Sequence, residues 1–369
     1  MKKKSRLRAS KERSDPVPYN VLILGASYGS LFATKLLLAG HSATLVCTKP
    51  TAELINRDGT IVRFPIRGRE TPVEIASQGL DGQLSARSPE DVDPGDFDLI
   101  VFGMQEAQYG SDGVRELMRR IAAAGAACLA IMNMPPLPYL ERIPGLATEP
   151  LRQCFADPSV WEGFEPGLVT LASPDPQAFR PPDEPKNVLH VGLPTNFKAA
   201  RFEAEEHTKI LRELESDIDA IRFDPGDGAI EIPVKLKVHE SLFVPLAKWP
   251  MLVTGNYRCI RRDDMIPIKE AVHADIEMSR DIYAWARKLC TKLGAAEADM
   301  VPFEKYAKAA EGLAKPSSAA RALFGGAKDI ERVDCLVRQI AQQQGLQSKT
   351  VDEIVTLVDE RLEKNRAAD

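Results

Sequence analysis

The chain has 369 residues, of which 44% are hydrophobic and 27% charged, with a formal net charge of −5. That length suits two domains rather than one core, and the net charge excludes a surface built overall for nucleic acid. No apolar run approaches the roughly 20 residues that a bilayer span requires, so no membrane association is expected.

Residues 1–13 are basic, with Lys2, Lys3, Lys4, Arg6, Arg8, Lys11 and Arg13. No apolar segment follows before Asp15-Pro16, so the stretch does not read as a secretory leader. Residues 1–17 are expected to form a disordered basic tail, with a nucleic-acid or membrane tether as the alternative. The six cysteines, Cys47, Cys128, Cys154, Cys259, Cys290 and Cys335, form no CxxC pair. They read as free thiols of a cytoplasmic protein, with no metal site.

From residue 18 the pattern alternates strands and helices. Asn20–Leu24 is a short apolar run ending at Gly25, as a buried parallel strand should be. Residues 31–39 read as a helix closed by Gly40, and 43–47 as a second strand. Further strands are expected at 98–102 and 127–132, with a helix over 114–126 between them. Residues 60–64 and 73–76 suit edge strands, and 187–191 a late strand. Pro135-Pro136-Leu-Pro138 and Arg180-Pro181-Pro182 mark an irregular, proline-rich insertion over 134–200. From about residue 230 the texture turns helical, over 234–253, 268–293, 302–313, 328–344 and 351–364. The expected class is α/β: an N-terminal Rossmann-type doubly wound sheet followed by an all-α C-terminal domain. Residues 18–225 would form the dinucleotide-binding domain, and 226–369 a helical domain for substrate binding and dimerisation.

The turn Gly25-Ala26-Ser27-Tyr28-Gly29-Ser30 joins the first strand to the first helix. Such a turn lets backbone N–H groups approach a pyrophosphate at a helix N-terminus. The usual fingerprint has three glycines; here Ser27 stands at the second. Either Ser30 replaces the third glycine, or the loop is one residue short and Gly29 takes that role. The second strand ends at Cys47-Thr48-Lys49 without the acidic residue that binds the ribose hydroxyl of NAD. Thr48 and Lys49, with Arg57 as a further cation, lean towards NADP, NAD remaining possible.

Gly29-Ser-Leu-Phe-Ala33, the helix end Leu38-Ala-Gly-His41 and Ala43-Thr-Leu-Val46 resemble the start of the ketopantoate reductases. Lys235-Leu-Lys-Val-His239 resembles that family's Lys-Leu-x-x-Asn helix start, and Gly255-Asn256-Tyr-Arg258 the turn after that helix. Asp329-Ile-Glu331 resembles its Glu-Ile-Asp segment, preceded by the pair Ser317-Ser318. The resemblance implies a two-domain NADP-dependent reductase of a 2-oxo acid or related carbonyl, with its site between the domains. It implies Lys235 as the proton donor, Lys237 being the alternative register, and Asp329 as the carboxylate holding it. Glu331 would then be a helix-surface group. Asn133 would lie near the nicotinamide ribose, and Ser317 and Ser318 on the substrate side. Three positions depart from the family: its lysine appears as Gln105, and its two asparagines as His239 and Phe243. These three residues are expected to line the cleft and make ketopantoate a poor substrate. A possible homodimer, an opine-type dehydrogenase, which also uses a histidine, and a non-catalytic dinucleotide-binding sensor complete the expectations.

Overall fold

The computed structural model describes residues 18–368; the tail expected over 1–17 lies outside the described residues. The strands are β1 (Asn20–Leu24), β2 (Ser42–Val46), β3 (Ile61–Phe64), β4 (Val73–Ala76), β5 (Leu84–Arg87), β6 (Leu99–Phe102), β7 (Cys128–Ile131), β8 (Val169–Ser173), β9 (Gln177–Phe179), β10 (Val188–Leu193), β11 (Phe197–Ala200) and β12 (Leu236–His239). The larger sheet has the order β12-β11-β8-β7-β6-β1-β2-β5. The six strands β8, β7, β6, β1, β2 and β5 run parallel. β11 turns back antiparallel to β8, and β12 pairs in parallel with β11. This is the α/β, Rossmann-type sheet that the alternation of elements implied.

The central strands read as unbroken apolar runs because both of their faces are buried. In β1, Leu22 and Leu24 enter one apolar cluster and Val21 and Ile23 the other; in β6, Ile100 and Phe102 divide in the same way from Leu99 and Val101. The first cluster runs on into the C-terminal helices through Trp249, Tyr283 and Leu336. The second holds the helices Gly29–Leu38 and Glu205–Ala220 together with a smaller sheet of order β4-β3-β10-β9. Residues 60–64 and 73–76 thus belong to a separate sheet, beside the late strand β10, and not to an edge of the main one.

The C-terminal half contains the helices Ile268–His273, Ile276–Leu293, Phe303–Ala310, Ser318–Phe324, Val333–Gln343 and Lys349–Arg366. The helix expected over 268–293 is broken where Asp275, in extended backbone, accepts the Met278 N–H and caps a new helix. The larger correction concerns residues 234–253, which do not form one helix. Leu236–His239 is β12, and helical backbone begins only at Pro245, as a 3₁₀ turn over Pro245–Lys248, an α turn over Trp249–Met251 and a π turn over Leu252–Asn256. Pro245 and Pro250 each sit in the first turn of their segment, the place where a missing N–H costs nothing; inside a longer helix each would remove a hydrogen bond. Lys235 is therefore not at a helix start. The sheet extends past residue 226, where the helical half was expected to begin. All six cysteines are free thiols. Among the described residues no helix is long and apolar enough to cross a membrane.

Candidate active site

β1 lies between β6 and β2, so the chain winds outwards from it in both directions, and the crevice above its C-terminal end is where such sheets take ligands. The turn after β1 faces that crevice. Gly25 adopts φ +103°, and a Cβ there would lie 2.6 Å from Met104 Cγ and 3.1 Å from the Gly103 carbonyl oxygen. Gly29 opens the helix Gly29–Leu38, and a Cβ on it would sit 2.7 Å from Ile23 Cγ2. Gly29 thus supplies the close helix–strand approach required of the third glycine, and the loop is the short form. Ser30 is buried within the helix, its hydroxyl donating to the Ala26 carbonyl. Ser27 is exposed on the turn. Tyr28 donates its hydroxyl to the Pro176 carbonyl at 2.7 Å and packs edge-on to Phe197. Burial, and then the charge of Asp175, hold its phenol above the usual range.

At the end of β2, Thr48 is the N-cap residue of the helix Lys49–Asp58, its hydroxyl 3.0 Å from that of Thr51. Lys49 is exposed at the helix start. Arg57 is in the last turn and gives both bonds of its fork to Asp58, so it does not join Lys49.

A cation appears where β8 ends. Asp175 follows that strand, and its carboxylate is held by Lys248 Nζ at 3.0 Å and Lys198 Nζ at 3.0 Å. Lys248 also donates to the Pro174 carbonyl at 3.3 Å. Burial works to raise the Asp175 pKa, but Lys248 and then Lys198 outweigh it and keep the carboxyl below its usual value. Pro176, next in the chain, is the residue bonded to Tyr28. Lys248 is therefore linked through Asp175 and Pro176 to Tyr28 of the glycine turn, and it also stands near the start of the helical run that opens the C-terminal half. The sequence pointed to it weakly, through Pro245 and Pro250 as markers of a helix start.

Across the crevice, at the ends of β6 and β7, lies a pair of carboxyl groups. Glu331 accepts the Asn133 side-chain amide at 3.3 Å and the Glu106 backbone N–H at 3.4 Å. The π turn helps to set its position: the Tyr257 N–H bonds Leu252 O at 3.0 Å, and the Tyr257 hydroxyl then donates to the Glu331 carbonyl while accepting the Val333 N–H. π turns of this kind recur at functional sites. Glu106 is 1% exposed. Its Oε2 accepts the Ala156 N–H at 3.2 Å, while its Oε1 and the Asn133 Oδ1 are shielded from solvent without a partner. Burial pushes Glu331 up to about 7 against the bonds from Asn133, Glu106 and Met134. Burial, opposed by the Ala156 N–H and assisted by the charges of Glu331 and Asp157, pushes Glu106 up to about 7 as well.

A carboxyl whose pKa is raised by folding binds protons more readily in the native state than in the unfolded one. Its native state therefore loses stability as pH rises from about 4.5 to about 7. A shift of that size corresponds to about 3 kcal/mol. The urea midpoint of the protein is expected to fall between pH 5 and pH 8, and that of Glu106→Gln to fall about half as far, because Glu331 keeps its own raised pKa. Equal pH dependence in the two proteins would show that Glu106 is not strained by its burial.

The remaining expected site residues lie as follows. Gln105 is exposed at the end of β6, its N–H bonded to Gln108 Oε1 at 3.1 Å as part of a reciprocal cap. Lys235 precedes the edge strand β12, its ammonium paired with Glu231 at 2.5 Å and Asp219 at 3.1 Å. Those two carboxylates, Glu231 first, raise its pKa. Lys237 pairs with Asp219 at 3.1 Å and Glu215 at 3.4 Å. Both lysines are thus tied to the helix Glu205–Ala220, on the face turned away from the C-terminal helices. β12 is five strand steps from β1, roughly 24 Å. His239 is half-buried on the same strand, with Nε2 unpartnered; burial and then Lys198 lower its pKa. Phe243 packs against Gly294 at the end of the helix Ile276–Leu293. Asp329 is 48% exposed and paired with Arg366 at 2.7 Å. The carboxylate that faces Asn133 is Glu331, not Asp329. Ser317 is a buried helix cap bonded to the Asn256 carbonyl at 2.6 Å, and Ser318 is exposed.

No family model matches the sequence, and no curated protein matches it either. Solved structures do match. A D-mandelate dehydrogenase in ternary complex with NADH and anilino(oxo)acetate superposes with a TM-score of 0.63 at 14% identity, over 94% of this chain and 99% of that one. A 2-dehydropantoate 2-reductase from Methylococcus capsulatus gives 0.64 at 13% identity, over 95% and 98%. A dimeric ketopantoate reductase from Staphylococcus aureus gives 0.57 at 13% identity, over 94% and 99%. Along nearly its whole length the chain has the fold of the 2-dehydropantoate reductases and D-mandelate dehydrogenase.

Proposed function

We propose that the protein is an NADP-dependent oxidoreductase that reduces a 2-oxo acid or a related carbonyl to the alcohol, as a cytoplasmic homodimer. The observation that carries the reading is Lys248. It is a partly buried ammonium, oriented by Asp175, at the junction of the glycine turn and the helical half. The crevice also fits a dinucleotide. Gly25 and Gly29 leave bare backbone where any Cβ would collide, and Asn133 keeps a shielded oxygen without a partner. Gly25, Ser27, Tyr28, Gly29 and Ser30 would hold the pyrophosphate, with Thr48 and Lys49 on the adenosine side and Asn133 on the nicotinamide side.

A nicotinamide dinucleotide, when bound, supplies hydride to the carbonyl carbon. The chain then has to deal with the negative charge left on oxygen. Lys248 is the group to donate a proton there, and Asp175 keeps that ammonium aimed. Glu331, largely protonated below pH 7, offers a hydrogen bond to a hydroxyl or carbonyl across the crevice. Lys248 in place of Lys235 gives the role implied by the resemblance to a residue that begins the helical half. His239 stands beside Lys198, which shares Asp175 with Lys248, and Phe243 packs against Gly294; ketopantoate is still expected to be a poor substrate.

The reading is tested by titrating the purified protein with NADPH and following its oxidation against a panel of 2-oxo acids that includes ketopantoate. NADPH binding with turnover of at least one member is expected. Binding without turnover across the panel would favour the sensor reading instead. The D-mandelate dehydrogenase was solved with an oxo-acid derivative, and one of the reductases is dimeric; both support the choice of panel and a sizing measurement alongside it.

A further inference from the structure

Arg180 has no part in the reading above, yet it stands in an unusual place. It directly follows β9, the edge strand of the smaller sheet, and precedes Pro181-Pro182, which stiffen the backbone behind it. Its guanidinium acts electrostatically on Cys47, the residue after β2. One of its terminal nitrogens, Nη2, is shielded from solvent and has no hydrogen-bond partner. Among the described residues no carboxylate pairs with it. The Cys47 thiol is no counter-ion, because burial pushes it up to about 11 and keeps it neutral. Burial also works against the charge of Arg180 itself, lowering its pKa, although a guanidinium stays charged in any protein. The neighbouring cations are differently engaged. Arg57 is spent on Asp58, and Arg87 is exposed at the end of β5 with its fork towards the Asp91 carbonyl.

A guanidinium with one nitrogen shielded and no anion beside it is costly, and an arriving anion offsets that cost. The anion that belongs at the end of the second strand of such a sheet is the one on the adenosine ribose. We propose that Arg180, reaching across from the smaller sheet, is the residue that recognises the 2′-phosphate of NADPH and so sets the choice between the two nicotinamide dinucleotides. The inference rests on the dinucleotide reading of the crevice. It differs from the expectation drawn from Lys49 in naming a residue far along the chain, on rigid backbone, whose fork matches a phosphate bidentately. Lys49, exposed and mobile on its stem, adds charge but little geometry.

The test is calorimetric titration of the full chain with NADPH, NADH and 2′,5′-ADP, for the wild type, Arg180→Met and Arg180→Lys. Wild type is expected to bind NADPH about 10- to 100-fold more tightly than NADH, the size of a charge-assisted contact. Arg180→Met should lose that factor for NADPH and for 2′,5′-ADP while its NADH affinity stays within about twofold, and Arg180→Lys should recover part of it. An equal loss for NADPH and NADH would mean that Arg180 only supports the fold, and would overturn the proposal. So would a wild type that binds NADH as tightly as NADPH, which leaves the dinucleotide reading standing. Binding of neither dinucleotide would overturn both.

Discussion

Replacing Lys248 by Ala is expected to lower kcat by about 10²- to 10⁴-fold, the usual contribution of a positioned acid. The ammonium has two structural advantages over the chain's other lysines. It is bonded to Asp175 and to the Pro174 carbonyl at the end of a central strand, so its direction is fixed. It is also one short step from Tyr28 through Pro176, which puts it at the glycine turn. NADPH affinity should change by less than about threefold, because on the proposed reading the backbone of the turn, and not this side chain, would hold the phosphates. Asp175→Asn should give a smaller loss in kcat, with the pH profile moved, since the lysine keeps Pro174 O but loses its carboxylate. Lys235→Ala should be nearly silent for turnover: its ammonium serves Glu231 and Asp219 on the far face of the sheet. Steady-state rates of the three variants on the best oxo acid of the panel decide the matter. A dead Lys235→Ala beside an active Lys248→Ala would return the proton donor to the edge strand.

The sheet was legible in the sequence because its signal is local. Apolar runs such as Asn20–Leu24 and the glycine turn carry their structure within a few residues, and both faces of those strands are buried. The helical half was legible in class but not in register. Lys235-Leu-Lys-Val-His239 has the residue types of a helix start, yet the open edge of β11 recruits it as a strand. Nothing local records that β11 needs a partner. The carboxyl pair was missed for a related reason. Glu106 and Glu331 are far apart in the chain, and Glu331 shares its segment with Asp329, which is chemically similar and two residues away. Which of the two faces the crevice is decided by the Tyr257 hydroxyl bonding Glu331 O, a contact that no spacing rule contains. Arg180 was visible only as the residue before Pro181-Pro182, since Cys47, on which it acts, follows a strand of the other sheet.

Asp334→Ala should cost about 3–5 kcal/mol of stability, the penalty for leaving a buried charge without its partner. The Asp334 side chain is 0% exposed, and both of its oxygens accept the Arg332 fork at 3.0 Å. Arg332 passes its remaining terminal nitrogen to Asp359 at 2.6 Å, on the helix Lys349–Arg366. The pair therefore ties the last two helices together directly behind Glu331. Without Asp334 the guanidinium keeps one half-exposed carboxylate and loses its buried one. Asp359→Ala, which removes a 46% exposed partner, should cost no more than about 1 kcal/mol. Urea unfolding of the two variants separates these cases, and hydrogen exchange should locate the loss in Val333–Gln343 and Lys349–Arg366 before the sheet. Because Arg332 adjoins Glu331, the Asp334 variant should also lose turnover at temperatures where its sheet remains folded, whereas the Asp359 variant should not. If both variants unfold alike, the exposed Asp359 is worth as much to Arg332 as the buried Asp334, and burial of the pair counts for nothing.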